Sequence, residues 1–276
     1  MGALIKSELR KILTTNVWWA LLIPAALVTL LVTLGGSAAG LFLTSIASQV
    51  QDTNLNVPLA LLVFASGVNI GTIFSAIFGG LAVAGEFQHR TITTTYLTAP
   101  SRTASMLAKL ITYSAFGVLY GVVIAIFGTI GALLALDIDN FPNVGSWLLL
   151  CLVAVLANVL WVVLGVGLGA LMGNQLAVVL VVPLGALLEA LIRGVLGSQG
   201  APEVTYFLPN ASGSNMVGGV AQDLLLDSIS GAARSLGRGF TDTDGLPWWG
   251  SGLVFLGYVA LFVAVGRLVA QRRDIA

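Results

Sequence analysis

The chain has 276 residues, of which 57% are hydrophobic and 9% charged, with a formal net charge of zero. So few charges cannot coat a water-soluble domain of this length, which leaves lipid as the main solvent. The zero balance averages two opposite faces and carries no information about an acidic or basic partner; a nucleic-acid partner is not expected of a chain whose main solvent is lipid.

At the amino terminus, GALIKSELRKILTT places Leu4, Ile5, Leu9, Ile12 and Leu13 on one helical face and Lys6, Glu8, Arg10 and Lys11 elsewhere. Residues 1–15 are therefore expected to form an interfacial helix lying flat on a leaflet. The uncharged run from Ile12 to Gln51 far exceeds a secretory apolar region of about 7 to 15 residues, so it is read as a retained first span. A span needs about 20 apolar residues to cross roughly 30 Å of hydrocarbon. Six segments reach that length: 17–43, 59–85, 107–136, 146–172, 176–196 and 248–269.

Between spans two and three lies the segment 86–105, most of it within the run GEFQHRTITTTYLTAPSR at 85–102. Phe87, Ile92, Tyr96 and Leu97 form an apolar stripe beside Glu86, Gln88, His89 and Arg90, and Pro100 disfavours helix at Ala99 while suiting a first turn. A short helix, a break and then span three are expected. Such a helix either caps the bundle, with Arg90 and Arg102 at lipid phosphate, or docks a partner.

The run from Asn140 to Leu188 carries no charge and is too long for one helix, and Gly173, Asn174 and Gln175 supply the turn that makes spans four and five a hairpin. Between spans five and six, in 198–247, Val217, Val220, Leu224, Leu225, Ile229, Ala232 and Leu236 recur at helical spacing. The expectation is an amphipathic helix on the outer surface, acting as a gate or as an anchor. Trp18, Trp19, Trp147, Trp248 and Trp249 fall at span ends, where indole prefers the headgroup layer.

The 33 glycines suit packed membrane helices. Gly67 and Gly71, Gly117 and Gly121, and Gly165, Gly169 and Gly173 repeat at four-residue spacing and are read as helix packing within one subunit rather than a dimer seam. Pro24 and Pro183 are expected to kink spans one and five.

Charge orients the bundle. Lys6, Arg10, Lys11, Arg90, Arg102, Lys109, Arg267, Arg272 and Arg273 fall on one side, and Asp52, Asp137, Asp139, Glu203, Asp223, Asp227, Asp242 and Asp244 on the other. Short loops rich in Lys and Arg stay inside, so the fold expected is an all-α polytopic membrane protein of six transmembrane helices with both termini cytoplasmic.

The run Glu86, Arg90, Thr91, Ile92, Pro100, Ser101, Arg102 and Lys109 resembles the cytoplasmic segment of ABC transporter type-2 export permeases. SELRKILTTNVWW at 7–19 resembles that family's first helix, and GRLVAQRRDIA at 266–276 its closing Arg-Arg-Asp. The resemblance covers the whole chain as a single permease domain, in a cell inner membrane. It implies two permeases, identical or related, paired with two ATPase subunits that bind ATP and Mg. No glycine-rich phosphate loop ending in Lys-Ser or Lys-Thr occurs in this chain, which agrees with an ATPase supplied in trans and no cofactor here. By the same resemblance a coupling helix starts at Glu86, with Glu86, Phe87, Arg90, Thr91, Tyr96 and Arg102 at the ATPase, and the amino-terminal helix flanks it. Glu86→Lys is then expected to uncouple transport while leaving the protein folded.

Polar groups at depth are candidates for a substrate pathway: Ser66, Asn69 and Thr72 on span two, Asn158 on span four and Glu189 on span five. The first four are more often interhelical hydrogen-bond partners. Glu189 either neutralises itself with Arg193, one turn on, or faces the pathway and a cationic substrate. Scarce charge suits a hydrophobic or amphipathic cargo such as a drug-like molecule, lipid or peptide.

Other classes fit less well. An ion-coupled carrier needs ionisable relays near mid-membrane, yet the one histidine, His89, lies in a connection. An intramembrane enzyme needs facing catalytic groups or metal ligands, and no HExxH, paired buried acids or Ser-His arrangement is present. A non-transporting immunity or structural protein has looser requirements. Cys151 is the single cysteine and cannot form an internal disulfide, while Asn210-Ala211-Ser212 spells a glycosylation acceptor too common to define a compartment.

Overall fold

The computed structural model describes residues 1–50, 59–93, 100–136, 141–200, 202–228 and 245–272. The protein is an all-α polytopic membrane protein. A short helix α1 (Gly2–Thr14) precedes α2 (Val17–Val50), α3 (Leu59–Gln88), α4 (Arg102–Ala135), α5 (Val144–Met172) and α6 (Gln175–Ser198). A 3-10 turn (Pro202–Phe207), α7 (Pro209–Ser228) and α8 (Trp248–Arg272) follow. The helices α2 to α6 and α8 are the six long and apolar enough to cross a membrane.

Helix ends follow local chemistry. Ser101 accepts a hydrogen bond from the Ala104 amide to start α4, and Asn143 accepts one from Ser146 to start α5. Gly173 ends α5 at φ 64, where a residue without Cβ is unstrained, and Asn174 at once caps α6 through the Ala177 amide. The expected hairpin between the fourth and fifth spans is therefore closed by two residues. Pro24 and Pro183 lie inside helices that continue through them.

At the centre α3 packs on α5, and glycine sets their separation. A Cβ on Gly79 would strike the Val162 carbonyl, and one on Gly165 or Gly169 would strike the Ala76 or Gly80 carbonyl. The glycine spacing thus serves packing within one chain, as read from the sequence; Gly173 alone departs, since it terminates its helix. Around this pair stand α2, α4 and α8. The stripe Thr29, Thr33 and Ser37 on α2 is buried, with Thr33 and Ser37 hydroxyls donating to carbonyls four residues back. Helix α6 is the most exposed of the spans and presents Leu180, Leu184, Leu187 and Leu191 outward.

Helix α7 differs from the expected surface helix. It starts at Pro209 rather than near Val217, and it buries Ala211, Ser212, Met216, Val217, Val220, Ala221 and Leu225 among α3, α5 and α8. Small residues permit this insertion, as at Gly213 against Trp161 and Phe255. Ser212 of the glycosylation spelling is wholly buried. Ile229, Ala232 and Leu236 lie outside the described residues.

Candidate functional site

Four charged side chains meet where α1, the end of α3 and the start of α4 converge. Glu8 takes Lys11 Nζ at 2.8 Å on Oε1 and Lys109 Nζ at 2.8 Å on Oε2. Glu86 takes both lysines on Oε1, Lys11 at 2.8 Å and Lys109 at 2.6 Å. The result is a closed ring of alternating charge. Its members are buried except Lys11, whose side chain is 45% exposed. Glu86 Oε2 is buried and has no hydrogen-bond partner among the described residues.

The ring follows from where charge is tolerable. Glu8 and Lys11 share a face of α1 at i, i+3, Glu86 lies in the last turn of α3, and Lys109 lies within the second turn of α4. A buried charge is costly unless paired, so the two on spanning helices draw α1 against the bundle. Burial pushes the Glu8 carboxyl up, but the Lys109 charge and hydrogen bonds from Lys109 and Lys11 outweigh it and hold Glu8 below its ordinary range. Burial likewise pulls Lys11 down, and the Glu8 hydrogen bond with the Glu86 charge overcomes it and raises Lys11.

These contacts give α1 a side turned to the protein. Ile12 and Glu8 are the buried residues of α1, whereas Leu9 and Leu13 of the predicted stripe remain exposed. Charge pairing, rather than that whole stripe, selects the face turned to the protein.

The expected coupling residues separate into two groups. Glu86 does not begin a new helix: α3 continues through Gln88, and Glu86 is spent on Lys11 and Lys109 within the chain. Phe87 is half-buried against the apolar cluster that includes Ile12, Val83 and Tyr113. Arg90 and Thr91 are exposed beyond the helix end. Arg90 adopts φ 57, a left-handed conformation that costs a residue with a Cβ roughly 1–2 kcal/mol. Residues 92 and 93 are helical, Tyr96 lies outside the described residues, and the exposed Arg102 donates to the Gln271 carbonyl at 2.9 Å. That bond and the one from Arg267 to Thr103 Oγ1 at 2.8 Å bring the end of α8 to the same end of the bundle.

The expected pathway residues also divide. Asn158 has no exposed surface: it accepts from Ser75 Oγ at 2.6 Å and donates to the Ala154 carbonyl at 2.9 Å, an interhelical role between α5 and α3. Thr72 is buried and donates to the Asn69 carbonyl. Ser66 is exposed and Asn69 half-buried, three residues apart on the outward side of α3.

Glu189 feels the charge of Arg193 without a close ion pair to it, and it does not stand open. Its carboxylate accepts the backbone amides of Asn210 at 2.7 Å and of Ala211, and so caps α7 from another helix. Leu208 precedes that helix with no acceptor in its side chain, and Pro209 has no amide to satisfy, which leaves the next two amides for Glu189. Pairing over this separation is not encoded in helical spacing, and Glu8, Lys11, Lys109 and the bond from Gln175 N–H to Gln88 Oε1 escaped sequence reasoning for the same cause. One signal was present: Lys109 stands on an otherwise apolar span and requires a partner. Comparison with protein-family models finds no match for the chain, and comparison with curated proteins finds none.

Proposed function

We propose that the chain is the transmembrane subunit of an ATP-driven ABC exporter in a cell inner membrane. Both termini and the α3–α4 connection face the cytoplasm. ATPase subunits act in trans, and a second copy or related permease completes the assembly. The cargo is hydrophobic or amphipathic.

The ring of Glu8, Lys11, Glu86 and Lys109 carries this reading. It fastens an amino-terminal helix to two adjacent spans at the end of the bundle where Lys and Arg gather. A force applied at the connection between those spans reaches α1, α3 and α4 together, because the ring resists their separation. Arg90 adds support: an exposed side chain is kept at a position that favours glycine, and backbone strain of this kind concentrates at functional sites. Exposed Arg90 and Thr91, together with Tyr96 and Arg102, supply the docking contacts, while Glu86 is a positioning residue behind them.

The test is ATP hydrolysis and cargo efflux in proteoliposomes holding the chain with its co-purifying ATPase. Arg90→Glu should leave the permease folded and lower ATP-driven efflux by about tenfold, the effect of losing one charge-assisted contact. Unchanged efflux by that variant would remove the connection from the coupling route.

A further inference from the structure

A cavity of about 630 Å³ opens at the end of the bundle away from the charge ring, between α6, α7 and the start of α8. Helix α6 starts beside Gln88, near the ring, and reaches the cavity only in its last turns, through Ala190, Arg193, Gly194 and Gly197 on one face. The opposite wall is the face of α7 that carries Asn215, Gly219, Gln222 and Asp223. Gly219 packs on Trp248, the first residue of α8, so α7 runs outward from its cap.

That cap fixes the relative height of the two walls. Glu189 holds the amides of Asn210 and Ala211; Arg193 lies four residues beyond Glu189, and Asn215 four beyond Ala211, so each stands about 6 Å farther out along its helix. Asp223 stands about 18 Å along α7 from Ala211, or about 12 Å beyond the level of Arg193. The cavity is therefore basic at depth and acidic toward the outside.

Its polar groups are open to it. Arg193 and Asp223 line the cavity as exposed residues, and among the described residues neither they nor the half-buried Gln222 make a side-chain hydrogen bond. Asn215 spends Nδ2 on the Leu246 carbonyl at 3.0 Å and the Ser251 hydroxyl at 2.7 Å, while its Oδ1 accepts no bond among the described residues. Burial and the Asp227 charge one turn on push the Asp223 carboxyl up, a strain that a cation beside it relieves.

We infer that this cavity holds the head group of a phosphoethanolamine lipid, with the phosphate on Arg193 and the primary ammonium at Gln222 and Asp223. The order of charge selects the class: in a leaflet the phosphate lies nearer the acyl chains and the ammonium farther out, as Arg193 and Asp223 do. Guanidinium N–H groups match phosphate oxygens in pairs, and an ammonium makes charge-assisted bonds to a carboxylate. The long Arg193 side chain, reaching toward water, shortens the gap that the head group spans. A lipid rather than a soluble compound follows from α6, where Leu191, Leu187, Leu184 and Leu180 are exposed beside the Arg193 face. They descend from the cavity over about 16 Å, close to half of the roughly 30 Å hydrocarbon thickness, and offer a track for an acyl chain. The cavity volume falls within the usual range for small-molecule sites of about 300–1,000 Å³. The inference needs only the membrane fold and does not depend on export.

The experiment is native mass spectrometry of the purified full chain, released from detergent micelles titrated with dioleoyl phosphatidylethanolamine, phosphatidylglycerol or phosphatidylcholine. One retained phosphatidylethanolamine is expected at about a tenth of the concentration needed for either other lipid, since the glycerol head has no cation and the choline head no N–H. Gly194→Trp fills the cavity, because a Cβ there meets nothing within 4 Å, and should abolish the preference. Asp223→Asn, at an exposed position, should weaken retention of phosphatidylethanolamine by about tenfold. Excess water-soluble glycerophosphoethanolamine should leave the bound lipid in place. Equal retention of the three lipids, a preference that survives both variants, or displacement by glycerophosphoethanolamine at equal concentration would overturn the inference.

Discussion

Lys109 Nζ lies 2.6 Å from Glu86 Oε1, and both residues are buried on neighbouring membrane-spanning helices. Neither could remain charged there alone. Removing one partner strands the other, so Lys109→Met should destabilise the protein by about 3–5 kcal/mol, and Glu86→Gln by a similar amount. Replacing Glu8, Lys11, Glu86 and Lys109 together by apolar residues should recover most of that loss. Reversible unfolding in mixed detergent micelles measures all three; a single variant as stable as the parent would show that the ring contributes nothing.

The ring also revises the expectation that Glu86→Lys leaves the fold intact. That substitution sets three lysines around Glu8 alone. It should release α1 from the bundle, visible as faster proteolysis at the amino terminus, and loss of transport in this variant would report unfolding rather than uncoupling.

Attachment of α1 should depend on pH at both extremes. The folded Glu8 pKa is depressed, so its contribution is present above the unfolded carboxylate value of about 4.3 and is lost as pH falls through the lower folded value. The folded Lys11 pKa is raised, so its contribution is present below the unfolded lysine value of about 10.4 and is lost as pH rises through the higher folded value. Hydrogen exchange along α1 should therefore be slow between those limits and accelerate outside both; protection that falls steadily across neutral pH would contradict the assignment.

The docking role proposed for Arg90 can be tested apart from stability. Arg90→Gly relieves the left-handed backbone and should stabilise the fold by about 1 kcal/mol while weakening ATPase docking. Thermal unfolding and ATPase co-purification, measured on the same variant, should move in opposite directions; a parallel loss of both would mean that the side chain holds the fold.

Glu189 should act on α7 through two amides. Glu189→Ala removes a helix cap and should cost about 0.5–2 kcal/mol, with faster exchange at Asn210 and Ala211. Glu189→Gln keeps an acceptor and should lose less. Unchanged exchange in the alanine variant would leave α7 held by its buried apolar face alone.

Much of this architecture was readable from spacing and composition. Long uncharged runs marked the six spans, Gly173 and Asn174 marked the hairpin, and glycines at intervals of four marked close crossings, because each signal is local to one helix or one turn. The insertion of α7 was hidden, since Pro209, Asn210, Ser212 and Gly213 have the composition of a loop, and the cap that Glu189 supplies comes from another helix. The ring was hidden for a related reason: Glu8 and Lys109 are 101 residues apart, and no periodicity records which buried charge answers another. Span ends moved for local causes too, with Ser101 starting α4 at Arg102 rather than Leu107.

The most direct measurement is efflux from proteoliposomes containing this chain and the ATPase isolated with it, with the proton gradient collapsed throughout. The account predicts movement of cargo that begins on adding ATP and Mg and stops when ATP is removed. Equal movement by the chain with no ATPase present, or arrest on collapsing the gradient while ATP remains, would contradict it.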